Sequence, residues 1–331
     1  MTLRLPFSCT APFSRTLILL CALLLASTLA LTLTPTLARA DWREGAPLPS
    51  AVPAAVGAQM DGGFYVMSGA VGAGMRSFFE LYDLRADGWR PLTPLPVALS
   101  RFSIAAGGGR VFVTGGRDAQ RGALSRQLWL YMPQTALWLQ LRPMPVARAG
   151  HASFIVNGRL FVIGGIGKNA RQGLVYDIAK AEWRTGMAAM PLALANMAAT
   201  HIGDEIILAG GVDARGRDSR VVLAYNTKTD KWRRLAALPQ AASGGALVEL
   251  DGALHYAGGY SQGGQQVLDG HLRLVKGRWV AQPAMKQGLH QMAYAAFRNR
   301  MVIIGGALGG GFYANFTASD RVAIYTRPTA Q

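Results

Sequence analysis

Residues 148–191 read RAGHASFIVNGRLFVIGGIGKNARQGLVYDIAKAEWRTGMAAMP, and this stretch decides the fold. An apolar run meets the pair Asn157-Gly158, and a second apolar run then ends at Gly164-Gly165. Asn-Gly between two apolar runs is typical of a tight β-hairpin, because both turn residues adopt positive φ. A polar loop and two further short runs, separated by a second turn, complete the stretch. It therefore predicts two successive hairpins that form a four-stranded meander.

The same features recur along the chain at spacings of 46 to 49 residues. The glycine pairs, of which the first is degenerate, are Gly69-Ala70, Gly115-Gly116, Gly164-Gly165, Gly210-Gly211, Gly258-Gly259 and Gly305-Gly306. A turn pair lies seven residues before each of them, beginning with Gly62-Gly63. Tryptophans with the same period are Trp42, Trp89, Trp138, Trp183, Trp232 and Trp279. Seven residues before a tryptophan stand Tyr82, Tyr131, Tyr176 and Tyr225, with Leu272 in that position before Trp279. A fixed period of this length indicates a repeat architecture with six copies.

The two ends of the repeat complement each other. Trp42 has no tyrosine before it, and Tyr325 has no tryptophan after it. The half-unit 41–49 is therefore what the last unit lacks. We expect the N-terminal strand to be the outer strand of the sixth sheet, which would close the ring and hide sheet edges that could template aggregation.

The glycine pair, the tyrosine and the tryptophan seven residues later make residues 41–326 resemble the kelch repeat. The resemblance implies an all-β fold, a six-bladed kelch β-propeller whose ring is closed by the strand around Trp42. We expect a single propeller domain over residues 41–331. Its blades are predicted at residues 50–91, 97–140, 146–185, 193–234, 241–281, and 288–326 together with 41–46.

Residues 1–40 have the pattern of a signal peptide. Arg4 and Arg15 precede an apolar stretch over residues 17–33, and Ala38-Arg39-Ala40 has the form of a cleavage site. We expect cleavage after Ala40 and export to the periplasm or the medium; an uncleaved anchor is the alternative. No later stretch has the 18 or so apolar residues of a membrane-spanning helix, so no span is expected once the leader is removed.

Both cysteines, Cys9 and Cys21, lie in this leader, so the mature chain is expected to have no disulfide and no cysteine-ligated metal. This excludes copper radical oxidases with kelch blades, which need a cysteine cross-linked to a tyrosine. The five histidines are dispersed, which argues against a histidine metal cluster. We expect no metal and no cofactor.

The chain is strongly basic. Its net charge is +16, and about +13 remains without the three leader arginines, which favours anionic partners. Export and the dispersed lysines argue against nucleic acid as a partner. We expect a monomer that binds an anionic small molecule or sugar, or a protein.

The loops after the glycine pairs are rich in cations, among them Arg117, Lys168, Arg171, Arg215 and Arg217. Guanidinium groups bind carboxylate or phosphate through a planar fork, so several forks at one opening would form an anion site. The alternative is a solvated rim with local Arg–Asp pairs.

A second set of candidates lies where the chain passes from blade to blade. Fourteen residues before each glycine pair stand Ala55, Arg101, Gly150, Asn196, Gly244 and Gln291, with Arg148, His151 and His290 close by. For the two histidines, a structural role in the scaffold is the alternative to a role in ligand binding. The last loop, residues 307–320, combines glycines with aromatic residues such as Tyr313, which suits either stacking on a sugar ring or plugging the channel.

Six kelch repeats behind a leader, and the run Gly164-Gly165-Ile166-Gly167-Lys168-Asn169, are similar to the N-acetylneuraminate epimerase (sialic acid mutarotase) family. That resemblance implies a glutamate acid/base and an arginine that holds the substrate carboxylate. Val212 stands in the glutamate position of this chain, so Asp213 is the candidate catalytic residue, with Arg215 or Arg217 as its arginine. The sequence thus leaves two functions open. One is an exported binder of an anionic carbohydrate with mutarotase activity; the other is a non-catalytic module that binds a protein or an envelope polymer.

Overall fold

The computed structural model describes residues 41–69 and 78–327, and the regular structure in these ranges is almost entirely antiparallel β-strand. The predicted signal peptide, residues 1–40, lies outside the described residues, as do residues 70–77 and 328–331. The described strands form six four-stranded sheets, which confirms the predicted all-β, six-bladed β-propeller. Within the described ranges, no helix is long and apolar enough to cross a membrane.

The blades are numbered 1 to 6 along the chain, and the strands of each blade are named inner, second, third and outer from the central channel. The inner strands are Ala55–Met60, Ser103–Gly107, Ala152–Val156, Ala198–Ile202, Ala246–Leu250 and Ala293–Phe297. The second strands are Gly63–Ser68, Arg110–Thr114, Arg159–Ile163, Glu205–Ala209, Ala253–Ala257 and Arg300–Ile304. The third strands are Phe78–Asp83, Leu128–Met132, Leu174–Asp177, Val222–Asn226, His271–Val275 and Val322–Thr326. The outer strands are Gly88–Pro91, Leu137–Leu141, Glu182–Arg184, Lys231–Arg234, Arg278–Gln282 and Asp41–Glu44.

Short elements join the blade connections to the loops that follow the glycine pairs. Two-residue strands pair Leu99–Ser100 with Arg117–Asp118, Leu194–Ala195 with Val212–Asp213, and Tyr260–Ser261 with Gln266–Val267. A 3₁₀ helix, Gly311–Phe316, lies in the last loop. Connections and loops therefore lie on the same face of the propeller, which is called the loop face below.

The hairpins between inner and second strands depend on residues that accept positive φ. In blade 3, Asn157 and Gly158 have φ of 49° and 71°, as a two-residue turn of this kind requires. In blade 1 the turn consists of Asp61 and Gly62 instead of the predicted Gly62-Gly63, because Gly63 already pairs with the inner strand. The aspartate tolerates this conformation better than most residues.

The hydrophobic core lies between the faces of neighbouring blades. Phe64 and Val66 of blade 1, for example, pack against Val302 and Ile304 of blade 6, and all four are buried. The second strands are apolar and buried on both faces because a blade covers each side.

The repeat tryptophans connect the blades by hydrogen bonds as well as by packing. Each indole N–H donates to a backbone carbonyl of the preceding blade at 2.8–2.9 Å. The donor and acceptor pairs are Trp42 with Pro283, Trp89 with Ala46, Trp138 with Thr93, Trp183 with Arg142, Trp232 with Ala188, and Trp279 with Ala236. One bond of this kind therefore crosses every interface around the ring.

The ring closes through the N-terminal strand, as predicted. Asp41–Glu44 pairs antiparallel with Val322–Thr326, which places Trp42 opposite Tyr325. The Trp42 side chain is buried, and its ring contacts His271 of blade 5. Closure therefore combines a strand pair within blade 6 with a packed interface against blade 5.

Blade 5 departs from the repeat at its outer hairpin. The turn has only two residues, Lys276 and Gly277, so Trp279 lies opposite Leu274. Leu272, which the spacing placed in the tyrosine position, lies opposite Ala281 instead. The turn is two residues shorter than the turn of blade 2, so the residue opposite the tryptophan lies five positions before it instead of seven. The tryptophan itself keeps its place in the repeat.

Candidate functional site at the channel mouth

Six residues, one from each blade, surround the channel where it opens on the loop face. This mouth ring consists of Ala55, Arg101, Gly150, Asn196, Gly244 and Gln291. Five backbone hydrogen bonds of 2.7–2.9 Å join them, each amide donating to the ring residue of the preceding blade. The series begins in blade 3, where the amide of Gly150 donates to the carbonyl of Arg101. It ends in blade 1, where the amide of Ala55 donates to the carbonyl of Gln291, and no bond of the series joins Ala55 to Arg101. These bonds fix the backbone of the mouth.

The mouth ring holds three polar residues in the left-handed backbone region. Arg101, Asn196 and Gln291 have φ of 52°, 53° and 53°. This conformation costs a residue other than glycine about 1 kcal/mol, and it persists where surrounding contacts impose it. The polar residues alternate with small ones, and a Cβ on Gly150 would lie 2.5 Å from Asn196 Oδ1. The alternation therefore gives each long polar side chain room at the mouth.

A cavity of about 310 Å³ lies on the loop face above blades 2, 3 and 4. This mouth cavity is lined by Arg101, Gly150, Ile166, Ala195, Asn196, Val212, Asp213, Ala214 and Gly216. The structure thus brings together three of the polar sequence candidates, namely Arg101, Asn196 and Asp213. Arg101 is exposed, and no hydrogen bond or ion pair joins its guanidinium to any described residue. It is the side chain best placed to meet an anion there.

Asp213 is held by its own loop. Its Oδ1 accepts the backbone amides of Arg215 and Arg217 at 2.8 and 3.0 Å, and its Oδ2 pairs with the Arg217 guanidinium at 2.9 Å. The amide of Arg217, followed by its guanidinium and the amide of Arg215, lowers the pKa of the Asp213 carboxyl. The carboxylate is therefore ionised at neutral pH and could accept a proton, but it could not donate one.

Arg148 does not reach the mouth cavity. Its side chain is fully buried, and its two terminal nitrogens donate to four backbone carbonyls of the loop in blade 3. The acceptors are Gly164, Asn169, Ala170 and Gln172. The guanidinium thus holds the loop after the glycine pair in place, and none of these contacts involves a carboxylate.

The two candidate histidines are also buried in the scaffold. The Nε2 atom of His151 is 2.7 Å from the hydroxyl of Thr114, and burial together with the Arg148 charge lowers its pKa to about 3. His290 is bonded to the carbonyl of Gly309 at 2.7 Å and lies against the ring of Tyr260. Neither imidazole lines the mouth cavity.

The remaining candidates lie at several places on the loop face. Arg117 donates to the carbonyl of Gly122, and Arg171 to that of Met190, so both stabilise local turns. Lys168 and Arg215 are exposed, and Arg217 is occupied by Asp213. Tyr313 lies on the 3₁₀ helix and is 68% exposed. None of these side chains lines the mouth cavity, although the loop of Arg215 and Arg217 forms one of its walls.

Tyr294 is a channel residue that the repeat analysis missed. Its hydroxyl accepts the amide of Ala199 at 2.7 Å and donates to the carbonyl of the same residue at 3.0 Å, so it connects blade 6 to blade 4 past blade 5. Burial raises its pKa to about 12. The channel below the mouth ring has a volume of about 420 Å³. The sequence did offer a signal for Tyr294. It lies eleven positions before the glycine pair, where other blades have small residues such as Ala58, Ser153 and Ala199.

Comparisons with known proteins agree on the architecture. Residues 101–306 match the family model described as the KLHDC2/KLHL20/DRC7 Kelch-repeats domain. Kelch-like protein 40 of Xenopus tropicalis is 27% identical over 191 residues, which is 56% of this chain and 31% of that protein. Beta-scruin of Limulus polyphemus is 26% identical over 149 residues, or 42% of this chain and 16% of the relative. The chain thus spans about a third or less of the length of these relatives.

A solved structure titled "Structure of YjhT" superposes with a TM-score of 0.74 at 20% identity, covering 86% of this chain and 97% of the other. At that identity the likeness concerns the fold. The family model covers most of the chain, and its range begins at Arg101 of the mouth ring and ends at the last glycine pair. The chain belongs to the kelch-repeat family of β-propellers.

Proposed function

We propose that the chain is an exported propeller that binds an anionic ligand, a sugar acid by preference, in the mouth cavity. The observation that carries the proposal is the guanidinium of Arg101, which has no partner among the described residues and borders a cavity shared with Asn196. A guanidinium can hold a carboxylate through two parallel hydrogen bonds, and an amide can add a third. Export rests on the leader sequence alone.

The charge balance beside Arg101 also fits an anionic ligand. The charge of Asp213 is compensated by Arg217, so this pair adds no net negative charge beside Arg101. The same arrangement would accept an acidic side chain of a protein, which is the competing ligand of the same chemistry.

Calorimetric titration with N-acetylneuraminate, against neutral N-acetylglucosamine, tests the proposal. We expect only the acid to bind, and Arg101→Gln to weaken it about ten-fold or more, because a charged hydrogen bond contributes about 1.5–3 kcal/mol. Arg121→Gln is the matched control, since Arg121 is an exposed arginine of the loop face outside the mouth cavity. Equal affinity of both sugars, or an equal effect of both variants, would contradict the proposal; so would an acidic peptide that binds the cavity while the sugar acid does not.

The position of Asp213 favours mutarotase activity as a second candidate function. An ionised carboxylate beside the bound sugar can accept the proton of the anomeric hydroxyl and deliver it to the ring oxygen as the ring C–O bond breaks, although Arg217 competes for the carboxylate. Proton NMR of anomer exchange would show acceleration by the wild type and its loss in Asp213→Asn, which retains an oxygen for the loop amides. Binding without acceleration would remove the enzyme hypothesis and leave the binding function intact.

A further inference from the structure

The outer strand of blade 2 differs from the other outer strands in its lack of charge. Leu137–Leu141 reads LWLQL, whereas each of the others carries at least one ionised side chain. Those sequences are DWRE, GWRP, EWR, KWRR and RWVAQ. An outer strand pairs on one side only, and proteins commonly protect such edges with charged residues. Blade 2 therefore presents an edge without this protection.

The same edge exposes an apolar stripe. Leu137 and Leu139 are 56% and 45% exposed, although both are leucines in a regular strand. They lie opposite Met132 and Leu130, which belong to the hydrophobic contact with blade 3. The stripe thus continues the interface between blades 2 and 3 outward, where no further strand covers it among the described residues.

The surroundings of this edge are basic. Two exposed arginines, Arg90 and Arg142, lie beside this hairpin, and the outer strand itself carries no acidic residue. Arg90 of blade 1 lies near the other face of the hairpin, close enough to act on Tyr131. Burial raises the pKa of Tyr131, and the positive charge of Arg90 opposes that shift. Arg142 directly follows the strand and is exposed. A strand that pairs here would meet leucines on one face and arginine on the other.

We propose that the outer edge of blade 2 binds an extended acidic segment of a partner protein, which adds a fifth antiparallel strand to the blade. Successive side chains of a strand point to opposite faces, so the segment would alternate apolar residues toward Leu137 and Leu139 with acidic residues toward Arg90. Main-chain hydrogen bonds supply the affinity in this mode of recognition, and the alternating side chains supply the specificity. The partner is thus defined by charge and pattern, independently of the mouth cavity.

A seven-residue peptide of alternating glutamate and valine, with blocked ends and a fluorescent label, is the probe. We expect saturable one-to-one binding in an anisotropy titration and at least a ten-fold loss of affinity in Leu139→Lys. Val280→Lys is the matched control, because Val280 directly follows the tryptophan of blade 5 as Leu139 does in blade 2, and it is 46% exposed. Arg101→Gln should bind the peptide like the wild type, which separates this surface from the proposed function.

Two altered peptides examine the mode of binding. Replacing glutamate by lysine should abolish binding, and methylating alternate backbone amides should do the same if main-chain pairing holds the segment. Equal loss in Leu139→Lys and Val280→Lys, or no binding of the parent peptide, would overturn the proposal. Self-association of the protein in light scattering that Leu139→Lys removes would also overturn it, because the occupant would then be a second copy.

Discussion

Arg148 is a buried cation without an acidic partner. Its guanidinium satisfies four loop carbonyls, and burial lowers its pKa without displacing it from the charged form. We expect Arg148→Met to lower the free energy of unfolding by about 3 kcal/mol or more, because several buried carbonyls lose their donors at once. Urea denaturation measures the change. Arg159→Met, at an exposed arginine of the same blade, should change stability by less than about 0.5 kcal/mol, and equal effects of the two variants would contradict this role.

Sequence position alone does not distinguish Arg148 from Arg101. Both lie close to the start of an inner strand, and both were candidates for an anion. The difference depends on the loop after Gly164, whose carbonyls turn toward Arg148 in an arrangement that no periodic pattern encodes. The left-handed φ of Arg101 could not be predicted from the sequence either, because arginine has no particular preference for that conformation. Repeats therefore locate the mouth, and the contacts of unrepeated residues decide which side chains reach it.

Blades 1 and 4 share a linking element that blade 3 lacks. In blade 4 the carboxylate of Asp230 accepts the hydroxyl of Tyr225 and the amide of Ala188, both at 2.7 Å. Asp87 of blade 1 makes the equivalent two bonds. Each aspartate thus joins its own third strand to the neighbouring blade, beside the bond of the repeat tryptophan. At the same position blade 3 has Ala181 with φ of 54°.

We expect Ala181→Asp to stabilise the protein by about 1 kcal/mol. The aspartate would accept the hydroxyl of Tyr176 and the amide of Arg142, whose carbonyl already accepts Trp183, and aspartate tolerates positive φ better than alanine. Ala181→Gly isolates the relief of backbone strain. Thermal unfolding measures both variants, and a gain in Ala181→Asp no larger than that in Ala181→Gly would show that the bonds do not form.

Ring closure makes the stability of the whole propeller depend on a terminal strand of four residues. Trp42 fills the interface with blade 5 and donates to the carbonyl of Pro283 at 2.8 Å. Trp42→Ala should cost about 3–5 kcal/mol, as for other large-to-small changes in a core, and should speed hydrogen exchange in Val322–Thr326. Arg43→Ala, on the same strand but exposed, should cost less than about 1 kcal/mol. Unchanged exchange in Trp42→Ala would mean that the strand does not hold the ring closed.

Blade number and closure could be predicted from sequence because they depend on residues that every blade needs. Six tryptophans in register and a half-unit left at each end specify six blades and their junction. The repeat pattern gives the wrong strand partner where one blade has a turn of different length. In blade 5 the two-residue turn places Leu274, rather than Leu272, opposite Trp279. The mouth cavity could be predicted only in part, since its walls are loops whose conformation depends on pairs such as Asp213 with Arg217.

Acid should destabilise the whole molecule through its buried histidines. His255 and His271 contact each other at 2.9 Å beside Trp42 and Tyr325, at the interface where the ring closes. Burial lowers the pKa of both, helped for His255 by Arg273 and Arg327 and for His271 by His255. Both imidazoles are therefore neutral in the folded state at neutral pH.

The sign of the pH effect follows from these lowered pKa values. Below about pH 6.5 the unfolded chain protonates its histidines while the folded chain does not, so each buried histidine costs about 1.4 kcal/mol per pH unit until its folded pKa is reached. His151, with a pKa of about 3, adds to the closing pair. The urea midpoint should thus be constant from pH 8 to about 7 and fall steeply toward pH 5, with a shallower slope in His271→Gln. A midpoint that stays level or rises between pH 7 and 5 would show that the histidines take up protons inside the folded ring.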